Sequence, residues 1–123
     1  MPGAPLFVKA QESLKCARET RAQKWFNSAS SRLYYALLQI CKELLLTRKN
    51  IEYNSGRDHS AIQNAFYGMN DTEIAILLGH LYNTRYKSDY EKVQITDKDL
   101  NKDWQKTEDM IKGITKELQN ARK

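Results

Sequence analysis

Residues 26–44 read FNSASSRLYYALLQICKEL, and this stretch decides the fold. Its apolar side chains recur at every third or fourth position, which is the spacing of one face of an α-helix. They are Phe26, Ala29, Leu33, Ala36, Ile40 and Leu44, and Tyr34, Leu37 and Cys41 widen the stripe. We expect a helix over about residues 24–48, placed at the centre of the core because its apolar face is so wide.

Four further segments carry the same helical spacing, over about residues 4–22, 59–68, 70–90 and from 96 onward. Their apolar stripes are Phe7, Ala10, Leu14 and Ala17; Ile62, Ala65 and Phe66; Ile74, Leu77, Leu78 and Leu81; and Leu100, Trp104, Ile111, Ile114 and Leu118. Short connections between helices favour antiparallel neighbours. The sequence therefore predicts an all-α fold, an up-and-down bundle of four long helices plus one short helix.

Polar residues mark three of the predicted helix starts. Asp58 stands where an N-cap of the short helix is expected. Asn70 is followed three residues later by Glu73, a capping-box arrangement with Asn in the place of Ser or Thr. Thr96 has Asp99 at the same spacing and begins the last helix.

Length and composition limit the class of protein. The 123 residues suit one domain, residues 1–123, and the 41% hydrophobic and 28% charged content is that of a soluble globular chain. Five Gly and two Pro are few for a β-sandwich or barrel. Since no apolar run approaches the roughly 20 residues of a membrane span, and no export signal opens the chain, we expect a cytoplasmic protein.

The positive charge is concentrated in the first half of the chain. Residues 1–60 contain ten Lys/Arg and five Asp/Glu, whereas residues 61–123 contain ten of each, so the net +5 comes from the first half. A basic surface there suits nucleic acid or an acidic partner. A solvated helix face is an equally good interpretation.

The sequence has none of the usual patterns for metal or cofactor binding. Cys16 and Cys41 fall in helical segments, without a C-x-x-C or a Cys/His cluster, and we expect free thiols in a reducing compartment. We find no glycine-rich phosphate loop, no nucleophile signature and no paired-carboxylate motif. The sequence predicts neither a metal nor a cofactor.

One arginine interrupts an apolar stripe. At about 100° per residue from Ile74, Leu78 lies at about 40°, Leu81 at about 340° and Arg85 at about 20°. A buried guanidinium needs a partner, and Asp89, one turn further on, can supply it as a salt bridge at the helix end. The functional alternative places Arg85 at a cleft or subunit interface, where it binds phosphate.

Other polar and aromatic residues accompany Arg85. Arg32 lies at the edge of the central stripe, either as a snorkelling side chain or as a second phosphate ligand. His59 opens the short helix, and His80 projects away from its stripe and should be solvated. Several tyrosines lie on the same two helices. They are either aromatic side chains of the core or of an interface, or they form a surface on which RNA bases stack. They are Tyr34, Tyr35, Tyr82, Tyr86 and Tyr90.

Three motifs follow one another in the chain: ASSRLYYA at residues 29–36, DHS at 58–60 and LYNTRYKSDY at 81–90. In that order and with short helical spacings they resemble the HEPN superfamily, in particular the small prokaryotic HEPN proteins found beside minimal nucleotidyltransferases. The resemblance covers residues 5–95, roughly three quarters of the chain.

The resemblance implies a helical bundle that forms a homodimer, with its functional cleft at the dimer interface. Many HEPN proteins are metal-independent ribonucleases with an R-x(4–6)-H motif, and other members bind nucleotides or act as scaffolds. Where a nucleotidyltransferase partner is present, the HEPN protein is commonly the toxin and the transferase its antitoxin.

Arg85 matches the motif arginine, but Tyr90 stands five residues later where the family has histidine. A phenol with a pKa near ~10 is a poor general base at neutral pH. His59 could replace the missing histidine if the fold brings it to Arg85. The candidate catalytic residues are Arg85, Tyr90 and His59, and the candidate RNA- or nucleotide-binding residues are Arg32, Arg85, Asp89 and Tyr86.

Three hypotheses follow for function. The favoured one is an RNA- or nucleotide-binding subunit of a toxin–antitoxin-like HEPN/nucleotidyltransferase pair, and the alternative is an active metal-independent HEPN endoribonuclease toxin. In the third, a nucleotidyltransferase modifies Tyr86 or Tyr90.

Overall fold

Five helices make up the computed structural model, which describes residues 5–53, 58–90 and 94–121, without the side chains of Pro5 and Tyr90. They are α1 (Pro5–Ala22), α2 (Phe26–Lys49), α3 (His59–Gly68), α4 (Thr72–Tyr90) and α5 (Asp97–Ala121). No strand occurs in these described ranges. The predicted all-α fold of four long helices and one short helix is confirmed.

The four long helices alternate in direction. Arg21, at the end of α1, pairs with Asp97 at the start of α5, with 2.9 Å between Nε and Oδ1. Arg48, at the end of α2, reaches Asp71 just before α4 and Glu117 near the end of α5. Helices α1 and α4 therefore run antiparallel to α2, and α5 runs parallel to it.

Helix α2 lies at the centre of the bundle and packs against each of the other four helices, as its wide apolar stripe predicted. The predicted stripes of the other helices face it or each other. Their buried members are Ala10, Leu14, Ala17, Ile62, Phe66, Ile74, Leu77, Leu78, Leu81, Leu100, Trp104, Ile111, Ile114 and Leu118. Burying these stripes removes apolar surface from water and is the main force that holds the helices together.

The helix starts differ in how well they follow the predicted caps. At α5 the reciprocal bonds form: the backbone N–H of Thr96 donates to Asp99 Oδ2 at 2.9 Å, and that of Asp99 donates to Thr96 Oγ1 at 3.2 Å. Asp58 holds the N-cap position of α3, but its side chain makes no capping bond there.

The predicted cap at Asn70 is wrong. Helix α4 begins at Thr72, so Asp71 and not Asn70 immediately precedes it. Asn70 instead has a left-handed backbone with φ of 63°, and its N–H donates to the carbonyl of Tyr67 at the end of α3. Asparagine tolerates this conformation better than most residues, which explains its place in a tight α3–α4 turn.

Both cysteines are free thiols, as expected. Cys41 is fully buried in α2, and burial raises the pKa of its thiol far above the usual value, so it packs as a small apolar side chain. Among the helices that the structure describes, none has the length and apolarity needed to cross a bilayer.

Candidate functional site

Aromatic side chains from three helices meet on one side of α2. We call this group the aromatic cluster, and it consists of Tyr34 and Tyr35 from α2, His59 from α3, and Tyr82 and Tyr86 from α4. Neighbouring ring centroids lie between 4.1 and 6.3 Å apart. These separations fall in the range of favourable stacked and edge-to-face aromatic contacts, so the rings position one another.

His59 is held in the cluster by two contacts. Its ring stacks on Tyr82, with 4.1 Å between centroids and 20° between planes. Its Nδ1 lies 2.8 Å from the Tyr34 hydroxyl, within a hydrogen bond. Because His59 is the first residue of α3, these contacts also fix that end of the short helix against α2 and α4.

Arg85 lies over the tyrosines of α2 and is mostly buried, with 21% of its side chain exposed. Its guanidinium carbon is 4.9 Å from the ring centroid of Tyr35 and 5.7 Å from that of Tyr34, both within cation–π range. Its Nε donates to Ser31 Oγ at 3.3 Å, and its Nη2 is 3.5 Å from Asp89 Oδ2. The predicted partnership with Asp89 is therefore present.

Burial sets the protonation of the two side chains that share a hydrogen bond. Desolvation lowers the pKa of His59 below its usual 6.5, although a bond with the Gln63 side chain opposes this shift. Burial also raises the pKa of Tyr34 far above 10, and nearby Arg85 offsets only part of this. At neutral pH the site thus contains a neutral imidazole, a neutral phenol and the Arg85 cation.

A glycine in α4 makes room for the residue that supports His59. Gln63 Nε2 donates to the carbonyl of Ala75 at 2.9 Å, across the α3–α4 contact. A Cβ added at Gly79 would lie 2.8 Å from that same nitrogen, closer than real Cβ contacts. The close approach of the Gln63 amide to α4 therefore depends on glycine at position 79.

The remaining predicted site residues lie in different surroundings. Arg32 is exposed on α2, and Asp89 and Tyr86 are exposed on α4 near Arg85. The side chain of Tyr90 lies outside the described part of the structure. His80 is exposed as predicted, yet its Nδ1 lies 3.3 Å from Oδ1 of buried Asp103 in α5, a partner that sequence spacing did not indicate.

Two residues of the site were not predicted from the sequence. Ser31 accepts a hydrogen bond from Arg85, and Gln63 supports His59. Ser31 lies inside the ASSRLYYA motif, which is a signal that could have drawn attention to it. Gln63 carried no signal except its position one turn after His59 in the same helix.

The chemistry available at the cluster is anion binding with aromatic stacking. One guanidinium, a neutral imidazole and several phenols belong to the cluster, and Asp89 is the carboxylate paired with the cation. Within residues 5–53, 58–90 and 94–121, no group of three or more His, Cys, Asp or Glu side chains is arranged to hold a metal ion.

A protein of the archaeon Methanocaldococcus jannaschii is similar to this chain. It is named "Putative toxin MJ0605", and the two are 30% identical over 115 residues, which span 89% of this chain and 83% of the archaeal protein. The chain belongs to the family of that protein. No protein-family model matches the chain, and no solved structure matches it significantly. The family is thus established by a relative whose name describes a toxin.

Proposed function

We propose that this protein is a toxin-like HEPN protein that binds RNA or a nucleotide at the aromatic cluster, as one subunit of a toxin–antitoxin-like pair with a minimal nucleotidyltransferase. The observation that carries the proposal is the placement of Arg85, a cation recessed among tyrosine rings, one of which also bonds His59. The three HEPN-like motifs and the name of the archaeal relative support it.

The surroundings of Arg85 favour an anionic ligand. A guanidinium has five N–H donors, and the contacts with Ser31 and Asp89 use only its Nε and Nη2 groups. Its contact with Asp89 is long, at 3.5 Å, and Asp89 is exposed, so a phosphate can compete for the cation. Bases adjoining that phosphate would meet the rings of the cluster.

The cleft is proposed to form between two copies of the chain. Half-buried Tyr35 lies beside Arg85, and exposed Arg32 precedes it by one turn of α2, where a second subunit could cover both. A two-fold interface brings equivalent residues of both subunits together and would double the cationic groups facing one nucleic acid.

A second candidate function is metal-independent cleavage of RNA. His59 and Arg85 both contact Tyr34, so the fold brings the histidine into the same cluster as the motif arginine. In that reaction the imidazole would accept the proton of a ribose 2′-hydroxyl as the O2′–P bond forms. The P–O5′ bond would break, with the 5′-oxygen taking a proton from water while Arg85 stabilises the charge on phosphorus oxygens.

Binding and cleavage can be measured with one labelled single-stranded oligoribonucleotide in buffer containing EDTA. We expect wild type to bind it, and Arg85→Ala to weaken binding by about tenfold or more, since a hydrogen-bonded charge is worth about 1.5–3 kcal/mol. Arg18→Ala is the control, because Arg18 is 58% exposed and pairs with Glu108 on another face. Equal affinity for wild type and Arg85→Ala would contradict the proposal.

The products decide between the two functions. Fragments that appear with wild type in EDTA, and disappear with both His59→Gln and Arg85→Ala, would establish the ribonuclease. Binding without fragments would leave the binding subunit as the function. Co-expression with a minimal nucleotidyltransferase encoded beside this gene, followed by co-purification and a growth assay, tests the toxin–antitoxin pairing.

A further inference from the structure

The hydrogen bond between Tyr34 and His59 has a direction that burial decides. A neutral phenol and a neutral imidazole can each donate, so the 2.8 Å contact alone leaves both arrangements open. Tyr34 is only 3% exposed, and among the described residues His59 Nδ1 is the partner of its hydroxyl. If Nδ1–H donated, the Tyr34 proton would be buried without an acceptor, which is unfavourable. The hydroxyl therefore donates to Nδ1.

Gln63 gives a second indication of where the imidazole proton lies. A side-chain bond with Gln63 raises the pKa of His59, which is the effect expected when the Gln63 carbonyl oxygen accepts from a ring N–H. The amide is oriented for this role because its Nε2 donates to Ala75 in α4 at 2.9 Å. With Nδ1 already accepting from Tyr34, the N–H that donates to Gln63 is Nε2–H.

We infer that Tyr34 and Gln63 are positioning residues that hold His59 as the tautomer with its proton on Nε2, so that the ring offers a hydrogen-bond donor to a phosphate. The contacts at the two ends are the 2.8 Å bond from the Tyr34 hydroxyl to Nδ1 and the 2.9 Å bond from Gln63 Nε2 to the carbonyl of Ala75. The bond from Nε2–H to Gln63 between them is the inferred step.

This tautomer has a consequence for the site. A phosphate oxygen is charged and makes a stronger acceptor than the neutral amide of Gln63, so it can displace that amide at Nε2. His59 would then donate to a phosphate held by Arg85. Because Nδ1 accepts from Tyr34 and Nε2 carries the proton, the ring has no free lone pair for the base role in the cleavage reaction described above, so this tautomer favours the binding function over cleavage. The role of His59 toward phosphate rests on the proposed function, but its tautomer does not.

The tautomer can be observed directly in the free protein. The chain has two histidines, so ¹⁵N-histidine labelling gives two ring systems in a long-range ¹H–¹⁵N spectrum, and His80 serves as an internal reference. Above the pKa of His59, we expect its Nε2 to carry the proton and its Nδ1 to be unprotonated. Tyr34→Phe keeps the ring but removes the donor, so we expect the His59 Nδ1 signal to shift toward that of a ring nitrogen without a hydrogen bond, while Gln63 keeps the proton on Nε2.

Tyr35→Phe is the matched control, because Tyr35 is the adjacent tyrosine and also contacts Arg85 but does not bond His59. It should leave both the His59 Nδ1 signal and the tautomer unchanged. Unchanged His80 signals show that each variant has kept its fold. A proton on Nδ1 in wild type, or an unchanged Nδ1 signal in Tyr34→Phe, would overturn the inference.

Titration with the single-stranded oligoribonucleotide separates this inference from the proposed function. If both hold, RNA shifts the His59 Nε2–H signal, and Tyr34→Phe weakens binding several-fold. If wild type shows the Nε2–H tautomer but no RNA binding, the proposed function fails and the assignment of Tyr34 and Gln63 stands. If RNA binds and leaves the Nε2–H signal unchanged, the donor role of His59 is wrong.

Discussion

The imidazole of His59 stacks on the phenol of Tyr82, with the ring centroids 4.1 Å apart and the planes inclined by 20°. This contact joins the first residue of α3 to the second half of α4. Arg85 is one turn further along α4, so the stack brings a distant histidine to the neighbourhood of the motif arginine. Which residues make up the candidate site therefore depends on this contact between α3 and α4 more than on any single sequence motif.

Tyr86 and Tyr67 allow a matched test of base stacking, since both are tyrosines with 44% exposure. Tyr86 lies 6.3 Å from Tyr82 in the cluster, whereas Tyr67 lies on α3 outside it. Stacking contributes about 1–3 kcal/mol per base, so Tyr86→Ala should weaken binding of single-stranded RNA by about 5- to 150-fold. Tyr67→Ala should leave the affinity unchanged in the same fluorescence titration, and equal losses in both variants would contradict a specific site.

Stability should fall in mild acid because of His59. Burial lowers the pKa of this residue in the folded state, so the unfolded chain takes up a proton first as the pH falls below about 6.5. The free energy of unfolding should decrease as the pH falls from about 6.5 to the folded-state pKa of His59. Above about pH 6.5 the contribution of His59 should be constant. Urea denaturation between pH 7.5 and 5 measures the change.

His59→Gln should remove this part of the pH dependence. His80→Gln is the control, because His80 is exposed and should leave the contribution of His59 intact. Identical slopes in wild type and His59→Gln would show that the buried histidine is not the group that titrates.

Gly79 and Gly113 are both helical glycines, yet substitution by alanine should change the free energy of unfolding differently at the two positions. A Cβ at Gly113 meets nothing within 4 Å, so Gly113→Ala should stabilise α5 by about 1 kcal/mol. At Gly79 the same gain in helix propensity is offset by displacement of the Gln63 amide and loss of its bond to Ala75. We expect little net change in the free energy of unfolding of Gly79→Ala.

The site should nevertheless respond to Gly79→Ala. Displacing Gln63 removes the acceptor of the His59 N–H, so the His59 ring signals should shift in the ¹⁵N spectrum while those of His80 stay in place. Gly113→Ala should shift neither histidine. Unaltered His59 signals in Gly79→Ala would show that Gln63 adjusts without disturbing the ring.

Arg48 joins the ends of three helices. Its Nε and Nη2 both donate to the Glu117 carboxylate at 2.7 Å, and it also pairs with Asp71. All three side chains are partly exposed, so solvent screening limits the effect, and Arg48→Met should cost about 1 kcal/mol. Arg18→Met, which removes a single and more exposed pair with Glu108, should cost only about a few tenths of a kcal/mol in urea denaturation.

Acid should weaken the ion pair between Arg48 and Glu117. The bond with Arg48 lowers the pKa of Glu117 below its usual 4.5, so its contribution is present above that pH and is lost as the pH falls through the lower, folded-state pKa. Arg48→Met should therefore show a smaller loss of stability between pH 5 and 3 than wild type. An equal loss would mean that Glu117 does not depend on Arg48.

The helices and their buried faces could be predicted because hydrophobic periodicity is a local property of the chain. Arg85 was found for the same reason: its angle on the helix placed it in an apolar stripe, and Asp89 one turn later was the obvious partner. The cap at Asn70 was wrong because the α3–α4 turn, and not side-chain type alone, decides where α4 begins.

The sequence by itself determined five amphipathic helices and the position of Arg85 on one of them. Only the tertiary structure decided that Tyr34, His59 and Tyr82 meet, and that Gln63 spans to α4 beside Gly79. These contacts join different helices, and the spacing of residues along one helix carries no information about the angle at which a second helix packs. That angle results from the fit of all the buried side chains together.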